Sequence, residues 1–235
     1  MKLNRYHNAN DFSKHASPFL LKREAEHNLI LGLVSRAIRT PEHFDPPPYF
    51  AAVVADDDEV IAVTMRTPPL NVLLSHIPPE HQEAVVALLI DDYQANYDDV
   101  PGVLGEKSTA RYFAEQWTAR TGQTIEHKMK ERIYQLDRVQ AVTGVSGNWR
   151  IADETDRELI KTWFAGFSED ALNETPAPEA LEALFERYVL AHDRDLLIWE
   201  DNGQPVSMTG VSGLSPNGAR VGAVYTPPEH RRKGY

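Results

Sequence analysis

Val221-Gly222-Ala223-Val224-Tyr225-Thr226-Pro227-Pro228-Glu229-His230-Arg231-Arg232-Lys233-Gly234-Tyr235 is the stretch whose reading decides the fold. Its first half is apolar and β-branched and reads as a buried strand closed by two prolines. Its second half is a basic loop that contains a glycine. A loop turning into a helix offers free backbone N–H groups to an anion, and the helix dipole adds to the attraction. Glycine lets the backbone approach such an anion closely and take up φ > 0. Arg231, Arg232 and Lys233 add positive charge, and arginine binds phosphate through two parallel hydrogen bonds. Alone, Arg-Arg-Lys-Gly reads as an ordinary solvated basic run; the strand before it supplies the context that points to a binding loop.

Strand, proline turn and basic loop together resemble the acetyl-CoA-binding motif of the GNAT superfamily of N-acetyltransferases. That motif runs Gln/Arg-x-x-Gly-x-Gly/Ala between a central strand and a helix. Arg231 and Gly234 match in type and spacing, and the closing Gly/Ala falls on the position after Tyr235. The resemblance implies acetyl-CoA as cosubstrate. It implies Val224, Tyr225, Thr226, Arg231, Arg232, Lys233, Gly234 and Tyr235 as the cofactor-binding residues, in a chain cut within the motif.

The composition narrows the alternatives. A length of 235 residues allows one large or two modest domains. The net charge of -11 argues against nucleic acid and against anionic membrane surfaces as partners. It is compatible with an amine substrate, although acidic surfaces commonly serve solubility alone. The absence of cysteine removes disulfides, thiolate metal sites and a cysteine nucleophile. No signal core follows Met1, and the longest apolar stretch, Leu29 to Val34, is too short to span a bilayer. The expected setting is cytoplasmic.

The chain repeats one plan. Pro78-Pro79-Glu80-His81 recurs as Pro227-Pro228-Glu229-His230, 149 positions later (227 minus 78). Each copy follows a strand-like segment, Asn71–Leu74 or Val221–Thr226. Each has a hairpin pattern upstream. Tyr49–Ala55 and Val60–Arg66 flank four acidic residues; Leu196–Trp199 and Pro205–Val211 flank Asp201-Asn202-Gly203, a tight-turn signal. Helices precede both hairpins. Ser17 with Pro18 predicts a helix start, the helix running to about Ile38. Asp153 predicts a cap for the helix carrying Leu159, Ile160, Trp163 and Phe164, and Leu181, Leu184, Phe185 and Tyr188 form a helical stripe. This helix-helix-hairpin-strand order is also the GNAT order.

The expected fold class is therefore α/β (α+β), with two GNAT-like units, each a mixed, mostly antiparallel sheet flanked by helices. Residues 1–140 form a degenerate copy, and 148–235 the first part of an acetyl-CoA-binding copy, joined by a linker over 139–148. The first copy continues with a helix over 80–96, a short strand near Val103, a helix over 108–120 and an alternating strand over 128–136. Adding the same continuation to the second copy predicts an intact protein of roughly 290 residues. After its Pro-Pro-Glu-His the first copy has Gln82 and Glu83, which supply neither glycine nor cation, so cofactor binding is expected in the second copy alone.

By resemblance, the reaction transfers an acetyl group from acetyl-CoA to a primary amine of a small molecule or peptide. A backbone N–H near Val224, Tyr225 or Thr226 would polarise the thioester carbonyl, with the pantetheine arm pairing along the same strand. Tyr225 reads equally as a core aromatic. Glu229 reads as a capping residue, and no side chain is assigned as acid or base. A chain cut within the motif is expected to be inactive. The alternative is a non-catalytic acyl-CoA-binding or interaction protein on the same fold. His76 and His81 lack a third metal ligand at suitable spacing, so no metal is expected. Trp117, Trp163 and Trp199 read as core or cleft wall.

Overall fold

The computed structural model describes residues 1–127, 130–190 and 195–235. They form two compact units, 1–135 and 136–235. The division falls just upstream of the expected linker.

In the first unit, strand β1 (Lys2–Tyr6) leads through Asn8 into helix α1 (Ala9–Leu20). The Asn8 side chain accepts from the backbone of Asp11, satisfying one of the helix's free N–H groups. This corrects the expected start at Ser17. The helix begins about two and a half turns earlier, Pro18 lies inside its last turn, and a break follows before α2 (Asn28–Arg39). Strands β2 (Tyr49–Val54), β3 (Val60–Arg66) and β4 (Val72–Leu74) follow as an antiparallel meander. Helix α3 (Gln82–Asn96) then crosses to β5 (Val103–Leu104), which pairs parallel to β4, and α4 (Lys107–Thr121) follows. The sheet order is β1-β2-β3-β4-β5.

Both faces of this sheet are covered. Phe50, Ala52, Val63 and Met65 pack with Phe12, Leu20, Leu31 and Val34 of α1 and α2. Val53, Ala62, Val72 and Leu74 pack with Val86, Leu89, Tyr93, Phe113 and Trp117 of α3 and α4. The strands therefore read as near-continuous apolar runs rather than alternating ones.

The alternating strand expected over 128–136 is not found. Lys128 and Met129 lie outside the described residues, and 130–136 has no ladder partner among those described. Ile133 and Tyr134 are largely solvated there. Alternation describes how a strand would look from its two faces; it does not provide an edge to pair with.

The second unit repeats the first unit's opening order. Strand β6 (Asn148–Ile151) leads through the cap Asp153 and a short turn to α5 (Arg157–Phe167) and α6 (Pro178–Phe185). Strands β7 (Asp195–Asp201), β8 (Gln204–Ser215) and β9 (Gly218–Tyr225) complete an antiparallel sheet of order β6-β7-β8-β9. Asn202 and Gly203, both at positive φ, close the β7–β8 turn as the dipeptide predicts. Each unit's hairpin also carries a bulge beside its turn. Val53 and Val54 face Ala62 and Val60, leaving Ile61 extra; Trp199 and Glu200 face Ser207 and Pro205, leaving Val206 extra.

The units differ in coverage. Ile160, Trp163, Phe164 and Phe185 cover one face of the second sheet, against Leu196, Ile198 and Met208. Residues projecting from the other face, among them Trp149 and Ile151, are exposed. Strand β9 was expected to be buried and is not. It stands at the edge of its sheet, with Val221 63% and Val224 56% exposed.

Candidate functional site

The Pro-Pro-Glu-His segments do the same local work in both units. Each follows the fourth strand of its sheet and forms one 3-10 turn, Pro79–His81 after β4 and Pro228–His230 after β9. Proline fixes φ and has no N–H to leave unpaired, which suits the first position of such a turn. The paths then part. Gln82 takes helical angles and α3 begins at once. Arg231 is extended, at φ -66 and ψ 156, and Arg232 and Gly234 stand at positive φ.

Strand β9 differs from β4 in a second way. Met208 pairs with Tyr225 and Gly210 with Gly222, so β9 holds one more residue than β8 over that interval, with Ala223 at φ 49. Such a bulge turns backbone groups out of the ladder and re-aims side chains. The β3–β4 register, Thr64 to Arg66 against Leu74 to Val72, runs without one. The outer edge of β9 pairs with no strand among the described residues.

The eight residues expected to hold the cofactor lie along this strand end and loop. Val224 faces solvent. Tyr225 packs with the helical core, its hydroxyl lying where a Cβ on Gly166 of α5 would stand. Burial, and then the charge of Asp170, push the Tyr225 phenol above its ordinary pKa. Tyr225 is thus a half-buried packing residue at the strand's end. Ser207 Oγ donates to the Tyr225 carbonyl at 3.0 Å and lies 2.9 Å from Thr226 Oγ1, tying the end of β9 to β8.

Arg231 Nε donates to the Thr226 carbonyl at 2.8 Å, and its Nη2 donates to Asp170. Its guanidinium lies 5.7 Å from the Tyr225 ring centre. The hydrogen bond to Asp170 raises the Arg231 pKa further. Arg232 and Lys233 are exposed and carry no ion pair among the described residues. Tyr235 donates to Asp201 at 2.6 Å, which anchors the loop's far end beside the β7–β8 turn. That bond holds the Asp201 carboxyl below its usual range and the Tyr235 phenol above its own.

No protein-family model matches the chain, and no curated protein matches its sequence. The chemistry of the site therefore rests on its own residues. It combines an open strand edge, a bulge and three cations on a loop tied at its start by the Arg231 side chain and at its far end by the Tyr235 side chain. That combination suits an extended ligand with amide groups along its length and a phosphate group at one end.

The same positions in the first unit are occupied internally. His76 stands two residues before Pro78, as Tyr225 stands two before Pro227. The backbone N–H of His76 donates to Nε2 of buried His27 at 2.9 Å. Glu106 caps its own helix through Ser108, and Thr109 donates to Gln82 at 3.4 Å. Among the described residues no group of three His, Asp or Glu side chains could hold a metal ion. Among the described residues no helix is long and apolar enough to cross a membrane. Trp117 and Trp163 are core residues, whereas Trp199 is half-exposed and donates Nε1 to the Ser146 carbonyl.

Asp170, the Ala223 bulge and Gly166 belong to this site and were not expected from the sequence. Only Gly166, a glycine inside an amphipathic helix, carries a local signal.

Proposed function

We propose that this chain is an acetyl-CoA-dependent N-acetyltransferase of the GNAT type, built from two units of which the second carries the cofactor site. One observation carries the reading. A bulged edge strand, β9, leads through a Pro-Pro turn into a loop with Arg231, Arg232, Lys233 and a positive-φ Gly234. The shared order of strand, two helices, hairpin and strand supports two units of one ancestry. The changes around Gln82 and His76 support a first unit that keeps the fold without the cofactor.

Acetyl-CoA supplies a thioester whose acyl carbon accepts an amine and whose thiolate leaves. The residues present fit it. The open edge of β9 can pair with the amides of a pantetheine arm, as an added strand would. The bulge at Ala223 frees backbone groups beside that edge, so an N–H can donate to the thioester oxygen as charge gathers there. Arg231, Arg232 and Lys233 neutralise the pyrophosphate. The amine's lone pair forms the C–N bond, the C–S bond breaks with its electrons on sulfur, and the amine's proton passes to the thiolate. The acidic charge balance of the chain suits an amine acceptor.

Calorimetric titration with acetyl-CoA tests the site. A charge-assisted phosphate contact is worth roughly 1.5–3 kcal/mol, so Arg231→Ala weakens binding about ten-fold or more. Gly234→Val is at least as harmful, because φ 98 strains a β-branched residue. Gln82→Ala leaves affinity unchanged. Equal losses from the Gln82 and Arg231 substitutions, or no binding at all, overturn the assignment. Thiol release follows turnover without background, since the chain has no cysteine.

A further inference from the structure

Asp170 lies outside the basic motif, 61 residues before Arg231, in the turn Ser168–Leu172 that follows α5. Its Oδ2 accepts from Arg231 Nη2, while Nε of the same guanidinium donates to the Thr226 carbonyl. Those two N–H groups share one edge of the planar fork, which is an edge that a phosphate would take in bidentate fashion. Arg231 and Asp170 are 43% and 48% exposed, so their pairing is weak enough for a ligand to exchange.

We infer that Asp170 is an internal counter-anion of the cofactor site. In the free chain it shares the fork edge of Arg231 with the Thr226 carbonyl, and a pyrophosphate oxygen must displace it to accept from Nη2 there. The inference rests on the cofactor reading given above. It makes Asp170 a residue that sets affinity: it keeps Arg231 at the end of β9 and lowers the strength of anion binding in the same act.

The test is a double-mutant cycle on the full chain, titrated with coenzyme A at low ionic strength. Asp170→Asn binds about two- to fivefold tighter than wild type, the range of an exposed ion pair. The gain vanishes in the Arg231→Ala background, because the pair is the only route by which Asp170 acts. It also fades at about 0.5 M salt, where exposed charges are screened. Unchanged or weaker binding by Asp170→Asn overturns the inference. An equal gain in the Arg231→Ala background overturns it too, since Asp170 then acts as diffuse negative charge. If wild type and Asp170→Asn both fail to bind coenzyme A, the cofactor reading falls and takes the inference with it.

Discussion

The backbone N–H of His76 donates to the ring of His27, at 2.9 Å from Nε2, and the other ring nitrogen, Nδ1, lies 2.8 Å from the Leu20 carbonyl. His27 is 3% exposed and stands at the start of α2. With Nε2 as acceptor and Nδ1–H as donor, the imidazole is neutral and joins the end of α1 to His76, two residues past β4. A proton on Nε2 would break the bond to His76.

Burial pushes the His27 pKa below its ordinary value. The Leu20 carbonyl and Glu26 oppose this, and His76 and Arg23 add to it. In the unfolded chain the group titrates near 6.5. Between the two pKa values the unfolded chain binds more protons, so stability falls as pH falls. The contribution is fully present above about pH 6.5 and is lost on acidification through the folded value. Hydrogen exchange over 1–135 at pH 7.5 and 5.5 checks this. Faster exchange at the lower pH than intrinsic rates explain is expected, and His27→Gln reduces the difference. His27→Ala leaves the Leu20 carbonyl and the His76 N–H unpaired in a cavity, at about 2–3 kcal/mol. A pH response unchanged by His27→Gln contradicts the assignment.

The hydroxyl of Tyr225 lies 2.2 Å from where a Cβ on Gly166 would stand. Gly166 is inside α5, where alanine would ordinarily stabilise by about 1 kcal/mol. The contact reverses the sign. Gly166→Ala is expected to destabilise the second unit by about 1–3 kcal/mol, the range for overpacking. Tyr225→Phe relieves part of that cost by removing the nearest atom. Urea unfolding followed by tryptophan fluorescence reads both, since Trp149, Trp163 and Trp199 all lie in this unit. A stabilising Gly166→Ala would show that Tyr225 does not pack there.

Much of this fold is legible locally. Asn202-Gly203 predicts its turn because few other residues accept positive φ at both positions. The apolar runs Tyr49–Val54 and Val60–Arg66 predict strands covered on both faces. What is lost is what depends on distant partners. The strands Lys2–Tyr6 and Asn148–Ile151 are short and polar, and only their neighbours make them strands. The segment 130–136 carries the alternating pattern and finds no edge. The site divides in the same way. Arg231 and Gly234 are legible as a motif, whereas the pairing of Asp170 with Arg231 and the one-residue bulge at Ala223 are set by tertiary structure.

Arg150 holds the opening of the second unit together. It grips Asp156 with two hydrogen bonds, at 2.6 and 2.8 Å, and donates Nε to Glu200 at 2.7 Å. Asp156 is 7% exposed and also accepts from the Asp153 backbone at 3.0 Å. The bond from Arg150 holds the Asp156 carboxyl below its usual range. Removing one partner strands a charge that is largely out of water. Arg150→Ala is expected to lower the second unit's stability by about 2 kcal/mol in urea unfolding. The loss fades as the pH falls through the depressed Asp156 value, where the carboxyl is protonated and the pair contributes little. An equal loss at all pH values would mean that packing, not charge, is what Arg150 supplies.

Strands β4 and β9 are each the fourth strand of their sheet and are expected to differ in protection. Strand β4 lies between β3 and β5 and is fully buried, while β9, among the described residues, pairs only with β8 and is bulged at Ala223. An edge strand exposes unpaired N–H groups and opens at lower free energy than a central one. Hydrogen exchange over Gly218–Tyr225 is therefore faster than over Val72–Leu74. Adding acetyl-CoA should slow exchange along β9, because a pantetheine arm pairing with its outer edge protects those amides, and should leave β4 unchanged. Arg231→Ala requires more ligand to reach the same protection. Equal protection of the two strands in the free chain would contradict the open edge. Slowing of β4 rather than β9 on ligand addition would place the cofactor in the first unit and remove the basis for the site at Arg231.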